Sequence, residues 1–563
     1  MEQLLIILHQ DDIPVAQQVA ASLPAYQSLT FDPVLLDRII AAGLQGAQLI
    51  SWDNCPLYAA LEGWAHQTAF EMEADIARAI NNVVPRVSVV SWQHASLVHL
   101  LLAAKWHSVM WRANKQHFQG NRLHIFIVNQ PVSHDFHSFV PATTLVHYAS
   151  EQAIELLAYQ YGEKPANTDL VPALRGVREP NEADEILVHL PGCGQDIDYF
   201  NRELGASGKT ILNLQAKYFN LAVAHHEQFG LGTMEELLPA LPEAWRAALP
   251  ALREQLLPCL DGLFKAHIPV NHYRLLQAGQ MADLYLAQLL SLGLLNQYFS
   301  LKKPSRLLLS DHDGDFHGPL LAFAEQHHVP VLYLAHAKTT PDICSRYKNI
   351  TCLSHPIQGD VILAPDGRSV PNPKLNFPEH SQFSTGHIAP IKQVAIVLPR
   401  FSPAGIYSTR YAVYMDGVKR MVAWCRKHDL AFALRCNLAA PMMKLLAEAT
   451  GMDAASLIET AKLPLADYAQ QSDLCFMYDA PDAAGLEFLR RGIALLNPVP
   501  KPLVNSEGAG CNPAVVPREN MDEILRVATM LLQDPLSLEA FRRKQYLAYM
   551  NLFGPAQALR VFL

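Results

Sequence analysis

The sequence predicts an α/β chain built on parallel sheets. Two observations carry that expectation: short apolar runs alternate with stretches of helical period, and many of the runs are apolar at every position, as strands covered on both faces are. Composition is the third. Half of the 563 residues are hydrophobic and 17% are charged, against about 25% charged in an average globular chain, so material for several cores is ample and extensive disorder is excluded. At about 150 residues per domain the length gives three to four domains, with two large lobes also allowed.

The elements follow in order. Leu4 to Leu8 reads as a strand, Ile13 to Leu23 as a helix, Ser28 to Phe31 as a strand, and Asp32-Pro33 opens a helix that runs to Gly43. Ala47 to Trp52 is the next strand, Leu57 to Trp111 a long helical region, and Leu123 to Val128 a strand. Thr143 to His147 is expected as a strand and Glu151 to Tyr161 as a helix. Residues 162–183, rich in Pro, Gly and charge without a sustained period, form a first linker. A second series runs from the strand Glu185 to Leu190 through a Pro191-Gly192-Cys193-Gly194 turn, a helix to Leu204, the strand Thr210 to Leu214 and a largely helical stretch. It closes with the strands Arg306 to Ser310 and Val329 to Leu334. Residues 364–390 hold six prolines and form the second linker. A third series follows, with strands at 393–398, 431–435, 474–477 and 493–496 separated by helices. The expected domains are 1–165, 184–363 and 391–563.

Charge and cysteine usage narrow the function. Lys plus Arg 44 against Asp plus Glu 53 gives a net charge of −9, with no basic stripe to track a phosphate backbone, so nucleic acid is excluded as the main partner. The nine cysteines stand singly without a CxxC pair, which fits reduced thiols and a cytoplasmic setting. MEQLLIILHQDD lacks the basic start and cleavage site of a secretory signal and reads as a first strand. Leu97 to Trp111 and Leu284 to Phe299 are interrupted by polar residues and read as buried helices, so no transmembrane span is expected.

The most informative segment is 306–337. One strand delivers Asp311, His312, Asp313 and Asp315 at its carboxyl end, and the next delivers His336 at its own, so an acid and an imidazole would face one cleft. Helix capping by the acids and a backbone-satisfied histidine form the plainer alternative. Three carboxylates within five residues also suit a hard cation. The Gly and Glu that a calcium loop needs are replaced by Phe316 and Ala322, so no metal site is assigned and a divalent cation stays open. In the third series, Arg400 and Ser402 follow one strand, Arg435 ends another, and Tyr478-Asp479 leads into a helix opening Ala483-Ala484-Gly485. Small residues there let backbone N–H groups approach a phosphate, and the two arginines could add charge-assisted bonds; ordinary capping with surface arginines is the alternative. The Gly192-Cys193-Gly194 turn lacks an acidic residue on the following strand to hold a ribose and reads as a tight turn.

The strings SDHDGDFHGPLLAFAEQHHVPVLYLAHA and DLCFMYDAPDAAGLEFLRRGIALLNPV, placed near the ends of two lobes joined by a Pro-rich crossover, resemble a GT-B glycosyltransferase. The first is similar to the acid, Gly, helix, His segment of bacterial transferases that use CMP-activated ulosonic acids, notably retaining β-Kdo transferases. The second is similar to the strand, small-residue turn and acid-bearing helix (Glu487) of the GT-B nucleotide lobe. The resemblance spans about 184–535, with residues 1–162 as an added α/β module. It departs at Ala335-His336-Ala337, where Gln-His-Gly is usual, and at Arg435-Cys436-Asn437, where the sialyltransferase His-Pro pair has no match.

The resemblance implies two Rossmann-like lobes and sugar transfer from a nucleotide donor, held mainly by the last lobe, to a glycan or glycoprotein acceptor. Asp311 or Asp313 would be nucleophile or general base and His336 a general acid or a donor to the departing phosphate. Arg400, Ser402, Arg435, Tyr478, Asp479, Ala484, Gly485 and Glu487 would hold the donor. No organic cofactor is implied, and peripheral membrane association stays open. A UDP-hexose transferase or epimerase on the same lobes, or a non-catalytic scaffold, are the alternative readings.

Overall fold

A computed structural model describes residues 2–50, 109–128, 142–162, 170–179, 185–190, 197–214, 221–222, 225–227, 230–267, 271–310, 316–334, 349–353, 361–363, 369–371, 390–398, 411–436, 440–478, 483–499, 516–553 and 557–563. The chain divides into two compact units. The first is formed by residues within Met1–Ala173 and Leu231–Leu294, the second by residues within Leu174–Gly230, Leu295–Phe401 and Ala412–Leu563.

The first unit holds strands Gln3–Ile7 (β1), Gln27–Thr30 (β2), Gln48–Leu49 (β3), Arg122–Val128 (β4) and Leu156–Tyr161 (β5) in the order β3-β2-β1-β4-β5, every pairing parallel. Helices Asp12–Ala20 (α1) and Pro33–Ala41 (α2) cover one face, where Leu5, Ile7, Ala16, Leu35, Ile39 and Phe126 form a buried cluster.

Two elements here are reversed from expectation. Ala142–Glu151 is a helix (α3), and the stretch expected to be helical contains β5. The switch sits at Ala153. Its φ of 52° is left-handed, and the Ile154 N–H donates to the Ala149 carbonyl, a six-to-one closure that ends α3. That position usually carries glycine, so the stop signal is missing from the sequence. β5 is an edge strand in which no residue is fully buried, and its apolar residues imitate a helical stripe. Leu170–Ala173 (β6), within the first linker, pairs with a later short strand.

The second unit carries two parallel sheets. Strands Glu185–His189 (β7), Thr210–Leu214 (β8) and His225–Glu227 (β9) begin the first of them. Helix Ile197–Gly205 (α4) follows β7, whereas Gly230–Thr233 (β10), the partner of β6, and helices Met234–Leu237 (α5), Glu243–His267 (α6) and Asn271–Tyr298 (α7), which come next in sequence, fall almost wholly within the first unit. Arg306–Ser310 (β11), Val331–Leu334 (β12) and Ile350–Leu353 (β13) complete the sheet in the order β13-β12-β11-β7-β8-β9, all parallel. Numbered by appearance this is 3-2-1-4-5-6, the Rossmann-like order. Ile186, Val188, Leu308, Leu332 and Leu334 pack under α4, and the opposite face meets the helix His317–Gln326 (α8) through the ring contact of His317 with Tyr333. Val361–Leu363 (β14) and Ser369–Pro371 (β15) form an antiparallel ribbon that reaches into the second expected linker.

The last sheet joins Gln393–Leu398 (β16), Ala431–Cys436 (β17), Leu474–Met477 (β18), Ala494–Pro498 (β19) and Arg518–Glu519 (β20) in the order β17-β16-β18-β19-β20, again parallel. Its helices are Tyr411–Lys427 (α9), Ala440–Thr450 (α10), Ala454–Lys462 (α11), Leu465–Gln470 (α12), Ala483–Arg490 (α13), Met521–Gln533 (α14) and Pro535–Phe553 (α15). Tyr468 and Phe488 close one face and Trp424, edge-on to Phe476 at 5.4 Å, closes the other. α15 docks on β19. Beyond it Leu559 is fully buried in the core of the preceding sheet, where its N–H donates to the Tyr199 hydroxyl oxygen at 3.2 Å. The chain thus returns from the last sheet to the one before it. Among the described residues no helix is long and apolar enough to cross a membrane.

Candidate active site

Ligands of open parallel sheets bind outside the carboxyl ends of the strands where the strand order reverses. In the Rossmann-like sheet the reversal lies between β7 and β11. β7 reads Glu-Ile-Leu-Val-His and β11 reads Arg-Leu-Leu-Leu-Ser, each turning polar at its carboxyl end. His189 is 6% exposed and its Nδ1 lies 3.5 Å from the Leu214 carbonyl oxygen, so that nitrogen is the donor. Its ring stands edge-on to Phe316, with centroids 6.4 Å apart. His317 begins α8 and meets Tyr333 edge to face at 5.7 Å. Ser310 and Asn213 are fully buried at the ends of β11 and β8.

Asp311 follows Ser310 in sequence. Asp311, Asp313 and His336 all lie outside the described residues. Among the described residues no cluster of His, Cys, Asp and Glu could hold a metal ion.

In the last sheet the order reverses between β16 and β18. Arg400, Ser402 and Asp479, which follow those two strands in sequence, lie outside the described residues. The other expected donor residues divide by what they touch. Gly485 lies in the first turn of α13, where a Cβ would come 2.7 Å from Met477 Sδ and 3.3 Å from Leu495 Cδ2; glycine lets this turn lie close on β18 and β19. Ala484 packs beside it on the same core. Glu487, 13% exposed at its side chain, accepts from Arg491 Nε at 2.6 Å along α13.

Two residues expected to face the donor turn inward. The Tyr478 hydroxyl donates to the Val413 carbonyl at 2.9 Å, and the ring is 1% exposed, because the space beside Gly417 on α9 admits it. Arg435 Nη1 donates to the carbonyl oxygens of Leu463 and, at 3.3 Å, Thr460, with its guanidinium over the Tyr468 ring. Those bonds satisfy carbonyl groups at the end of α11.

His189, His317 and Asn497 were not singled out from sequence. Asn497 donates from Nδ2 to the Met477 carbonyl oxygen and so ties the exits of β18 and β19. The signal for His189 was present: a polar residue closing an apolar strand before a Pro-Gly turn, the pattern that marked Asp311.

No protein-family model and no curated protein matches the sequence. Among solved structures the chain is similar to MurG of Acinetobacter baumannii, at 10% identity over 66% of this chain and 98% of that one, with a TM-score of 0.34. It is similar to the glycosyltransferase SsfS6 of Streptomyces sp. SF2575, complexed with thymidine diphosphate, at 11% identity over 65% and 96%, TM-score 0.33. A third is UDP-GlcNAc 2-epimerase of Neisseria meningitidis, bound to UDP-GlcNAc, at 10% identity over 65% and 98%, TM-score 0.30. At these identities and scores the likenesses carry nothing about activity.

Proposed function

We propose that the chain is a glycosyltransferase that takes a sugar from a nucleotide donor. The observation that carries this reading is the pair of all-parallel sheets in one compact unit, each with a reversal of strand order at its carboxyl edge. The sequence continues from the first reversal into Asp311 and Asp313, and from the second into Arg400 and Ser402 after β16 and Asp479 after β18. In this reading one of the two acids serves as nucleophile or general base, and His336 serves as general acid or as a donor to the departing phosphate. The first turn of α13, with Ala484 and Gly485, receives the donor phosphate on its backbone N–H groups, and Glu487 orients the sugar from the next turn. The donor class we favour is a CMP-activated ulosonic acid, on the residues of 306–337, with a glycan or glycoprotein acceptor and a cytoplasmic setting.

The test is nucleotide release from a panel of CMP-, UDP- and dTDP-sugars, with and without added divalent cation. Release from a CMP-ulosonate, lost in folded Asp311→Asn or Asp313→Asn, is expected. Release from UDP-hexoses alone would replace the donor class, and no release from any donor would leave the scaffold reading in its place.

A further inference from the structure

We infer that the outer face of α15 is a docking surface for an anionic lipid bilayer. The inference goes beyond the transferase reading and does not depend on it. Specific bonds fix the inner face of the helix: Leu538 and Gln545 are buried, Gln545 takes both backbone polar groups of Leu495, and Arg542 Nε donates to the Gly492 carbonyl at 2.6 Å. Those bonds set the rotation of the helix. Residues three and four apart share a helix face, so Leu536, Ala540, Arg543, Lys544 and Leu547 form one stripe turned away from Gln545, and all five are exposed. Leu536, at 70%, is the most exposed large apolar side chain among the described residues, and Leu547 is 50% exposed. Met530, 46% exposed in the last turn of α14, extends the apolar end of the stripe: its carbonyl accepts from the Asp534 N–H, two residues before Leu536.

Charge decides between occupants. On neighbouring helices of this unit exposed cations are matched by acids: Arg526 by Glu523, Arg420 by Asp522, Lys462 by Glu459 and Lys444 by Glu448. No acid among the described residues pairs with Arg543 or Lys544, in a chain whose net charge is −9, and half-buried Glu539 only borders the stripe. A second copy is disfavoured. The two cations lie midway between the two leucines, so antiparallel two-fold pairing of this helix with itself would set cation against cation. A stable protein complex needs more surface, because the stripe is about 17 Å long and one helix (about 10 Å) wide, against about 800 Å² per partner. An anionic bilayer meets both conditions. The leucines enter the acyl boundary while the arginine and lysine reach the head groups along their stems, as on helices that lie in the membrane interface.

The experiment is flotation of the full chain with vesicles of phosphatidylglycerol or of phosphatidylcholine. Wild type should bind the phosphatidylglycerol vesicles, leave phosphatidylcholine alone, and come off at about 1 M salt, where the screening length falls to about 3 Å. Arg543→Gln with Lys544→Gln should weaken binding about twenty-fivefold, at about fivefold per charge near an anionic surface. Leu536→Ser with Leu547→Ser should weaken it about a hundredfold, at about tenfold for each leucine taken from water. Both double variants change exposed side chains and should melt with wild type. Leu301→Ser, at a leucine 60% exposed on another element, should bind as wild type does. A wild-type chain that ignores phosphatidylglycerol overturns the inference; a mass halved in the leucine variant would then give the face to a second copy, and retention of polyglutamate to an acidic protein. Equal losses in Leu301→Ser and the leucine variant, or no loss in either double variant, also overturn it.

Discussion

Gln545 gives the sharpest stability test. β20 pairs with β19 only at Asn497 and Pro498, so the N–H and C=O of Leu495 lie beyond its end. Gln545 of α15, 1% exposed, takes the place of the missing strand: its Oε1 accepts from the Leu495 N–H and its Nε2 donates to the Leu495 carbonyl, both at 2.8 Å. Gln545→Leu keeps the volume and removes both partners. Each orphaned backbone group costs about 1–3 kcal/mol, and the added apolar burial returns about 1–2, so we expect a net loss of about 2–4 kcal/mol. The local readout is hydrogen exchange of the Leu495 amide, which should quicken by about thirtyfold to several hundredfold, since each 1.4 kcal/mol is about tenfold. Gln545→Glu should also destabilise, because a carboxylate can accept from the N–H but cannot donate to the carbonyl. Unchanged exchange at Leu495 in Gln545→Leu would refute the reasoning.

Other outcomes follow from the same structure. Ala153→Gly should raise the melting temperature of the first unit, because relief of the left-handed φ of 52°, worth about 1–2 kcal/mol, exceeds the added chain entropy of about 0.5–1; a fall would show that Ala153 is unstrained. Asp12 accepts from the Leu8 and His9 N–H groups and from the Tyr161 hydroxyl, yet burial raises its pKa above 3.8. Its protonated form is therefore favoured by folding, and that contribution is full below pH 3.8 and lost as pH rises through the folded value. The melting temperature of wild type minus that of Asp12→Asn should fall across this window, and a pH-independent difference would count against it. Burial pushes the Cys425 and Cys436 thiols up to about 12, so an alkylating reagent at pH 8 should label both only after unfolding; rapid native labelling mapped to either would contradict that.

Much of the fold was legible because its strands are local signals. Gln393–Leu398, Leu474–Met477 and Arg306–Ser310 are apolar at nearly every position, and the structure buries them on both faces. What failed were elements whose identity rests on distant partners. α3 and β5 were exchanged because the residue that ends α3 is an alanine, and because β5 gains its status only by pairing with β4. β13 and β14 are short and drew no expectation, and β15 fell inside the second expected linker, for the same reason.

The candidate site divides along that line. Strand ends were readable, so the positions after β11, β16 and β18 were marked from sequence. Side-chain direction was not: Tyr478 and Arg435 stand at strand ends, yet a hydroxyl reaches Val413 sixty-five residues away and a guanidinium reaches Leu463 twenty-eight residues away. The sequence by itself determined that this chain builds covered parallel strands, because hydrophobic period is a property of adjacent residues. Only the tertiary structure decided the strand orders, the two reversals and the company of His189, because a buried polar group takes its partner from whatever the fold brings beside it.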